Sequence, residues 1–162
     1  MRELLRATDL SGLNHQDIPP MFRDVAAGGW SVTAAGGRVL TGLRPETPGR
    51  YVDRLAEETT VNGRGMTDDD LPAAPHERTP LLVRRCLAYV CACLREAQEE
   101  FGDSRVRAYV SLSCADTDEG LLTSNVTFCT PLPDVRPYVP GLEQVREAAV
   151  AEISAEDCRA WW

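Results

Sequence analysis

The clearest pattern of apolar and polar positions lies between Thr79 and Gly102. Apolar residues recur there every three or four positions, and arginines and glutamates fill the opposite side when successive residues are placed about 100° apart. Thr79 and Pro80 suit the start of a helix, and Gly102 suits the position just after its end. The pattern therefore predicts one long helix over about residues 80–101 with a broad buried face.

Three of the six cysteines lie within this predicted helix. Cys86 and Cys93 fall on its apolar side, about two turns and about 10 Å apart along the axis. That distance is too large for one zinc ion, whose thiolate ligands lie about 2.3 Å from the metal. We therefore expect both to pack as small hydrophobic residues, and only Cys91, at the edge of the apolar side, to be within reach of solvent.

Strict alternation of apolar and polar residues predicts two strands between residues 105 and 129. If Asp116–Gly120 forms the loop between them, the apolar residues of both strands share one face and the polar residues share the other. A shift of one residue would break every match, so the register is well determined. The predicted cross-strand pairs are Arg107 with Cys129, Ala108 with Phe128, Tyr109 with Thr127, Val110 with Val126, Ser111 with Asn125 and Cys114 with Leu122.

Weaker patterns cover the N-terminal half. A short helix is predicted at Pro19–Ala27, where prolines open the first turn and a glycine pair follows the end. A hairpin is predicted over residues 30–43 with Gly36 and Gly37 as its two turn residues. A second short helix is predicted to begin near Thr47.

Two segments complete the predicted architecture. Residues 59–78 show no periodicity, which predicts a long irregular loop. Leu142, Val145, Ala149 and Ile153 have helical spacing, which predicts a C-terminal helix over about residues 142–157. The element order favours a single α+β domain over residues 1–162, with an antiparallel sheet built from two β-hairpins and helices packed mainly on one face.

Composition narrows the classes of function. All 17 basic residues are arginine, so a lysine Schiff base and a P-loop lysine are impossible. The net charge of -8 disfavours binding to nucleic acid. The N-terminal segment is charged and the longest apolar run, Leu87–Leu94, is too short to cross a bilayer. We therefore expect a cytoplasmic protein with reduced cysteines that binds neither nucleic acid nor membrane.

Candidate chemistry is sparse. The two histidines, His15 and His76, lie in predicted loops, and the consecutive aspartates 68–70 lack the alternate spacing of a calcium loop. No cofactor or metal motif is present in the sequence, so we expect neither cofactor nor metal. Whether the protein catalyses a reaction stays open, with the sequence favouring no catalysis.

Two features suggest binding. The first is the polar face of the second hairpin, because arginine and tyrosine are enriched in interface hot spots. The second is the C-terminal pair of tryptophans, which either fold back onto the core or bury in another molecule, such as a second copy in a homodimer. The candidate binding residues are Arg105, Arg107, Tyr109, Ser111, Asn125, Thr127, Trp161 and Trp162.

The leading hypothesis is a non-catalytic binding or regulatory module that binds a protein partner, of the immunity, chaperone or adaptor kind. The alternative is a small enzyme or small-molecule-binding domain whose pocket lies near the 59–78 segment and uses His76 and Asp69, with Tyr109 as a further candidate. The two differ in one spatial expectation, since the alternative requires His76 and other polar groups to converge in a deep cleft.

Overall fold

The computed structural model describes residues 1–47, 49–114 and 122–162, and these form an α+β fold, as predicted. The helices are α1 (Arg2–Ala7), α2 (Pro20–Ala27), α3 (Arg54–Asn62), α4 (Pro75–Phe101) and α5 (Ala155–Cys158). The strands are β1 (Trp30–Val32), β2 (Arg38–Leu40), β3 (Arg64–Gly65), β4 (Arg107–Cys114), β5 (Leu122–Cys129) and β6 (Ala149–Ile153).

The predicted long helix is α4, which begins at Pro75 rather than near Pro80. Pro80 lies inside the helix, where it cannot donate a backbone hydrogen bond. In the first turn, which precedes Pro80, the guanidinium of Arg78 donates to Asp68 at 2.6 Å and connects the helix to the segment before it. The helix ends as predicted at Gly102, which has a φ of 65° and donates its N–H to the carbonyl of Gln98.

Helix α4 lies at the centre of the fold, and every residue from Cys86 to Leu94 is buried. The β4–β5 strands contact one side, while α1, α2, α5 and the turn at residues 15–17 contact it elsewhere. The predicted burial of Cys86 and Cys93 is confirmed. The predicted reach of Cys91 to solvent is wrong, because Cys91 is fully buried in the core, beside α5.

The β4–β5 hairpin has the predicted register at all the cross-strand pairs named above. Val110 faces Val126 on the apolar side, and both contribute to the core against α4. The predicted loop at Asp116–Gly120 lies outside the described residues. The alternation of apolar and polar residues was sufficient to predict the register, because one face of the hairpin is buried. A shift of one strand by one residue would expose its apolar side chains.

The predicted C-terminal helix over residues 142–157 is wrong. Residues 149–153 form β6, which pairs antiparallel with β4, and only Leu142–Gln144 and Ala155–Cys158 are helical turns. The four-stranded sheet therefore has the order β3-β5-β4-β6, with β6 at one edge. The spacing was ambiguous because Ala149 and Ile153, four positions apart, share a face in a helix and in a strand alike.

The first hairpin forms, but its register differs from the prediction. Trp30 lies opposite Leu40, whereas a two-residue turn at Gly36 and Gly37 would place it opposite Leu43. The connection comprises residues 33–37, in which the N–H of Thr33 donates to the carbonyl of Gly37 and Gly36 adopts a φ of 80°. The β1–β2 pair forms a two-stranded sheet of its own rather than joining the larger sheet.

Ten of the 20 residues over 59–78, predicted as an irregular loop, lie in helices or a strand, and residues 66–74 are irregular. Helix α3 continues to Asn62, β3 pairs with β5, and α4 begins at Pro75. Helix α3 itself starts at Arg54, capped by Asp53, and not near Thr47 as predicted.

Two buried polar side chains of α3 connect the two sheets. Glu58 accepts hydrogen bonds from the backbone N–H groups of Arg38 in β2 and Thr130 after β5, at 2.9 and 2.5 Å. Asn62, one turn later, accepts from the N–H of Leu40 and donates to carbonyl oxygens of both strands. Both side chains have no exposed surface. The helix thereby satisfies strand edges that would otherwise carry unpaired buried groups.

Candidate functional site

The centre of the polar face of the β4–β5 hairpin is covered. Tyr109 is 5% exposed and Thr127 is 2% exposed, although the register places both on the face predicted to be open. The surface that remains accessible is therefore the margin of this face. The exposed or half-buried predicted residues there are Arg105, Arg107, Ser111 and Asn125.

Two neighbouring segments cover this face. The ring of Tyr109 packs edge to face against Tyr138, with ring centroids 5.1 Å apart, and its hydroxyl donates to Glu152 at 2.7 Å. The hydroxyl of Thr127 donates to the carbonyl oxygen of Thr59 in α3 at 2.9 Å. Sequence patterns missed both contacts, because Tyr138 lies in a proline-rich segment and Thr59 in a supposed loop.

The Tyr109 hydroxyl donates a hydrogen bond to the carboxylate of Glu152, which lies on the edge strand β6. Burial raises the pKa of the Tyr109 phenol, and its hydrogen bond to Glu152 raises that pKa further. The phenol is therefore a neutral donor near pH 7 rather than a base. Arg107 approaches the other carboxylate oxygen, with Nε 3.7 Å from Oε1 of Glu152. The two contacts fix Glu152 on β6, where its side chain lines a cleft.

A cleft of about 610 Å³ lies beside this carboxylate, between β6 and α1. Consecutive residues from Ala148 to Ile153 line it, so it follows the edge of β6 rather than one of its faces. We call it the β6 cleft. The rest of its lining comprises residues 1–5 together with Leu142, Glu143, Val145, Asp157 and Trp161.

The β6 cleft is acidic with an apolar component. Among the described residues that line it, the one arginine is Arg2, which is paired with Glu143, with Nη2 2.5 Å from Oε1, so these two charges neutralise each other. Cationic groups therefore suit the cleft better than anionic ones. The acidic lining residues are Glu3, Glu143, Glu152 and Asp157, and the larger apolar ones include Leu4, Leu5, Val150, Ile153 and Trp161.

The C-terminal tryptophans fold back onto their own chain, which is one of the two predicted alternatives. The carbonyl oxygen of Trp161 accepts from the N–H of Leu13 at 2.8 Å. The ring of Trp162 stands perpendicular to His15 at 5.0 Å, and the guanidinium of Arg95 lies 5.5 Å from its centroid. Trp161 thus lines the β6 cleft. Trp162 holds the C-terminal residues against the rest of the chain through its contacts with His15 and Arg95.

The structure does not bring His76 and Asp69 together in a cleft. The side chain of His76 is 80% exposed beside Glu77, and Asp69 is also exposed. A cleft of about 370 Å³ does lie near this segment, lined by Asp70 and by the arginines of α4, but neither predicted residue lines it. The spatial expectation of the small-molecule alternative is therefore not met by His76.

Sequence reasoning missed the residues that build the β6 cleft. Glu152 was assigned to a helix, and α1 was not predicted at all. The residues 149–153, Ala-Val-Ala-Glu-Ile, carry no clear signal for a strand, because the apolar Val150 interrupts the alternation of apolar and polar positions.

No family model matches this chain, and no curated protein or solved structure is detectably similar to it. Within residues 1–47, 49–114 and 122–162, no group of three or more histidine, cysteine or carboxylate side chains is placed to hold a metal ion. Among the helices that the structure describes, none combines the length and apolar character needed to cross a membrane.

Proposed function

We propose that this protein is a non-catalytic binding module, of a regulatory or adaptor kind, that binds a partner protein in the β6 cleft. The observation that carries the proposal is an open cleft of about 610 Å³ along an edge strand, lined by apolar side chains and by the carboxylates of Glu3, Glu143, Glu152 and Asp157. Protein interfaces combine an apolar centre with a polar rim. A cytoplasmic location, suggested by the composition, is part of the same proposal.

The hairpin face supports this function indirectly. Tyr109 and Arg107 contact the carboxylate of Glu152, so they position a charge in the cleft rather than contacting the partner themselves. Arg105 and Asn125 remain exposed at the margin of that face and can extend the contact surface.

The alternative small-molecule function has weaker support. The cleft near the 59–78 segment contains two ion pairs, Arg85 with Asp70 at 2.6 Å and Arg84 with Asp17 at 3.2 Å. A ligand there would have to replace existing ion pairs. In the β6 cleft Glu143 and Glu152 also have arginine partners, Arg2 and Arg107, whereas no ion pair within the described residues involves Glu3 or Asp157.

The test is quantitative capture of the partner from cells of the source organism. Reversing two exposed lining charges, Glu3→Arg with Glu143→Arg, leaves the core untouched and makes the cleft basic. We expect the double variant to capture about tenfold less partner than the unaltered chain, because like charges across an interface are unfavourable.

The matched control is Glu99→Arg with Glu100→Arg on the exposed side of α4, which changes the net charge equally away from the cleft. We expect it to retain full capture. Equal capture by both double variants and the unaltered chain would contradict binding in the β6 cleft.

A further inference from the structure

The outer edge of β6 carries unpaired backbone groups. In the sheet order β3-β5-β4-β6, strand β6 has a neighbour on one side only. Its residues form no backbone hydrogen bond to any other described segment beyond those with β4. In an antiparallel pair, alternate residues direct their N–H and C=O groups away from the partner strand. These groups face the β6 cleft, because the cleft follows that edge.

The edge strand also lacks the usual protection against pairing. Natural edge strands are commonly blocked by proline, by inward-pointing charges, by a bulge or by a covering element. The sequence Ala-Val-Ala-Glu-Ile of β6 has no proline, and its one charge, Glu152, is engaged by Tyr109. Helix α1 stands across the cleft rather than on the strand, which leaves room between them.

The shape of the site favours an extended occupant. Strand β6 spans about 17 Å at about 3.4 Å per residue, which matches a peptide of similar length. A helix of about 10–12 Å diameter would occupy the cleft without using the edge groups of β6, because its own backbone groups are already paired. An added strand satisfies those groups directly.

Charge decides between a foreign segment and a second copy of this chain. A second copy placed edge to edge would bring two acidic clefts and two chains of net charge -8 together. A basic segment gains from the same carboxylates. The occupant that fits is therefore an extended segment with arginine or lysine at alternate positions and apolar residues between them.

We infer that the β6 cleft binds a basic, extended segment of its partner as an additional antiparallel or parallel strand on β6. This inference rests on the proposed function and specifies its mode. Apolar side chains of the segment contact Leu4, Leu5 and Trp161, and its basic side chains contact the carboxylates of the lining.

The experiment titrates the full chain with a synthetic peptide of alternating arginine and valine. A second peptide has the same side chains but N-methylated backbone nitrogens on the edge that would pair with β6. We expect the first peptide to bind and the second to bind at least about tenfold more weakly, since each lost backbone hydrogen bond lowers affinity. A glutamate–valine peptide should not bind.

Amide hydrogen exchange locates the strand. We expect slow exchange at alternate residues of 149–153 in the free protein and, with the arginine–valine peptide, new protection at the remaining ones. Equal binding of the methylated peptide, no binding of the arginine–valine peptide, unchanged exchange at β6, or a doubled mass of the free chain would each overturn strand addition. Partner capture that still depends on Glu3 and Glu143 would then leave the proposed function standing.

Discussion

At the residue scale, the least expected feature is the pair Glu58 and Asn62. Their side chains are fully buried, and each contacts backbone groups of two segments that are distant in sequence, β2 and the end of β5 or the residue after it. A buried donor or acceptor without a partner costs about 1–3 kcal/mol, so these two side chains keep several groups from becoming unsatisfied. The joint between the two sheets therefore depends on polar side chains as well as on apolar packing.

We predict that Glu58→Gln lowers the free energy of unfolding by about 1–3 kcal/mol, as measured by urea denaturation. The glutamine has one acceptor oxygen, so one of the N–H groups of Arg38 and Thr130 must face an amide group that cannot accept. The control is Glu100→Gln, the same change at an exposed position of α4, which should stay within about 0.5 kcal/mol. Similar stability of both variants would contradict the role assigned to Glu58.

The difference in unfolding free energy between the unaltered chain and Glu58→Gln depends on pH. Burial raises the pKa of the Glu58 carboxyl, against the opposing effect of its backbone hydrogen bonds. A carboxyl whose folded pKa lies above its unfolded value of about 4.3 contributes fully below that value, and the contribution falls as pH rises through the folded pKa. The stability difference between the unaltered chain and Glu58→Gln should therefore be larger at pH 4.5 than at pH 8.

The burial of a residue could be predicted where the surrounding apolar residues recur with a helical or strand period, and could not be predicted elsewhere. Cys86 and Cys93 lie within an apolar stripe, so their burial follows from helical spacing. Glu58 lies on a helix rich in polar residues, and nothing in its neighbours distinguishes a buried carboxylate from an exposed one. Its burial is decided by strands that are distant along the chain.

At the element scale, α4 differs from the amphipathic helix that its sequence predicts. Its central residues are buried on all sides, including Ala88 and Ala92 outside the predicted apolar face. Those sides are covered by α1, α2, α5 and the turn at residues 15–17. A helical wheel therefore identifies the side that faces the sheet but not the sides covered by short elements.

We predict that the three cysteines of α4 react with a thiol reagent in the native protein at least about a thousandfold more slowly than in urea, because exposure requires unfolding of the core. Burial raises the pKa of the Cys86 thiol to about 11, which further reduces its reactive thiolate. Glu99→Cys, on the exposed side of the same helix, provides the comparison and should react at the rate of a free thiol. Peptide mapping by mass spectrometry measures both, and rapid native labelling of Cys91 would contradict its burial.

The error at residues 142–157 has a similar origin. A segment of five residues contains too few positions to separate the helical period from strand alternation. What selects the strand is β4, which pairs with β6 on the side not taken by β5. The candidate site was missed for the same reason, since a cleft beside an edge strand cannot be predicted without the edge strand.

At the scale of the whole molecule, short segments from both ends of the chain build the candidate site. Helix α1 meets strand β6 and Trp161 at the cleft, although α1 lies at the opposite end of the sequence from the other two. The element order predicted the α+β class, because hairpins joined through helices pack in few ways. It did not predict which segments would meet, because β1 and β2 form a separate sheet and the tail returns to the N-terminal turn.

The C-terminal residues provide a test of whether Trp162 packs on its own chain or on a second copy. Because Trp162 contacts His15 and Arg95 of its own chain, we predict that Trp162→Ala lowers the free energy of unfolding by about 1–3 kcal/mol without changing the mass measured by light scattering. Met21→Ala, which removes a large side chain that is 64% exposed, should change neither quantity beyond about 0.5 kcal/mol. If the unaltered chain instead had twice the mass of the Trp162→Ala variant, the tail would be binding a second copy, and the contacts with His15 and Arg95 would form between chains rather than within one.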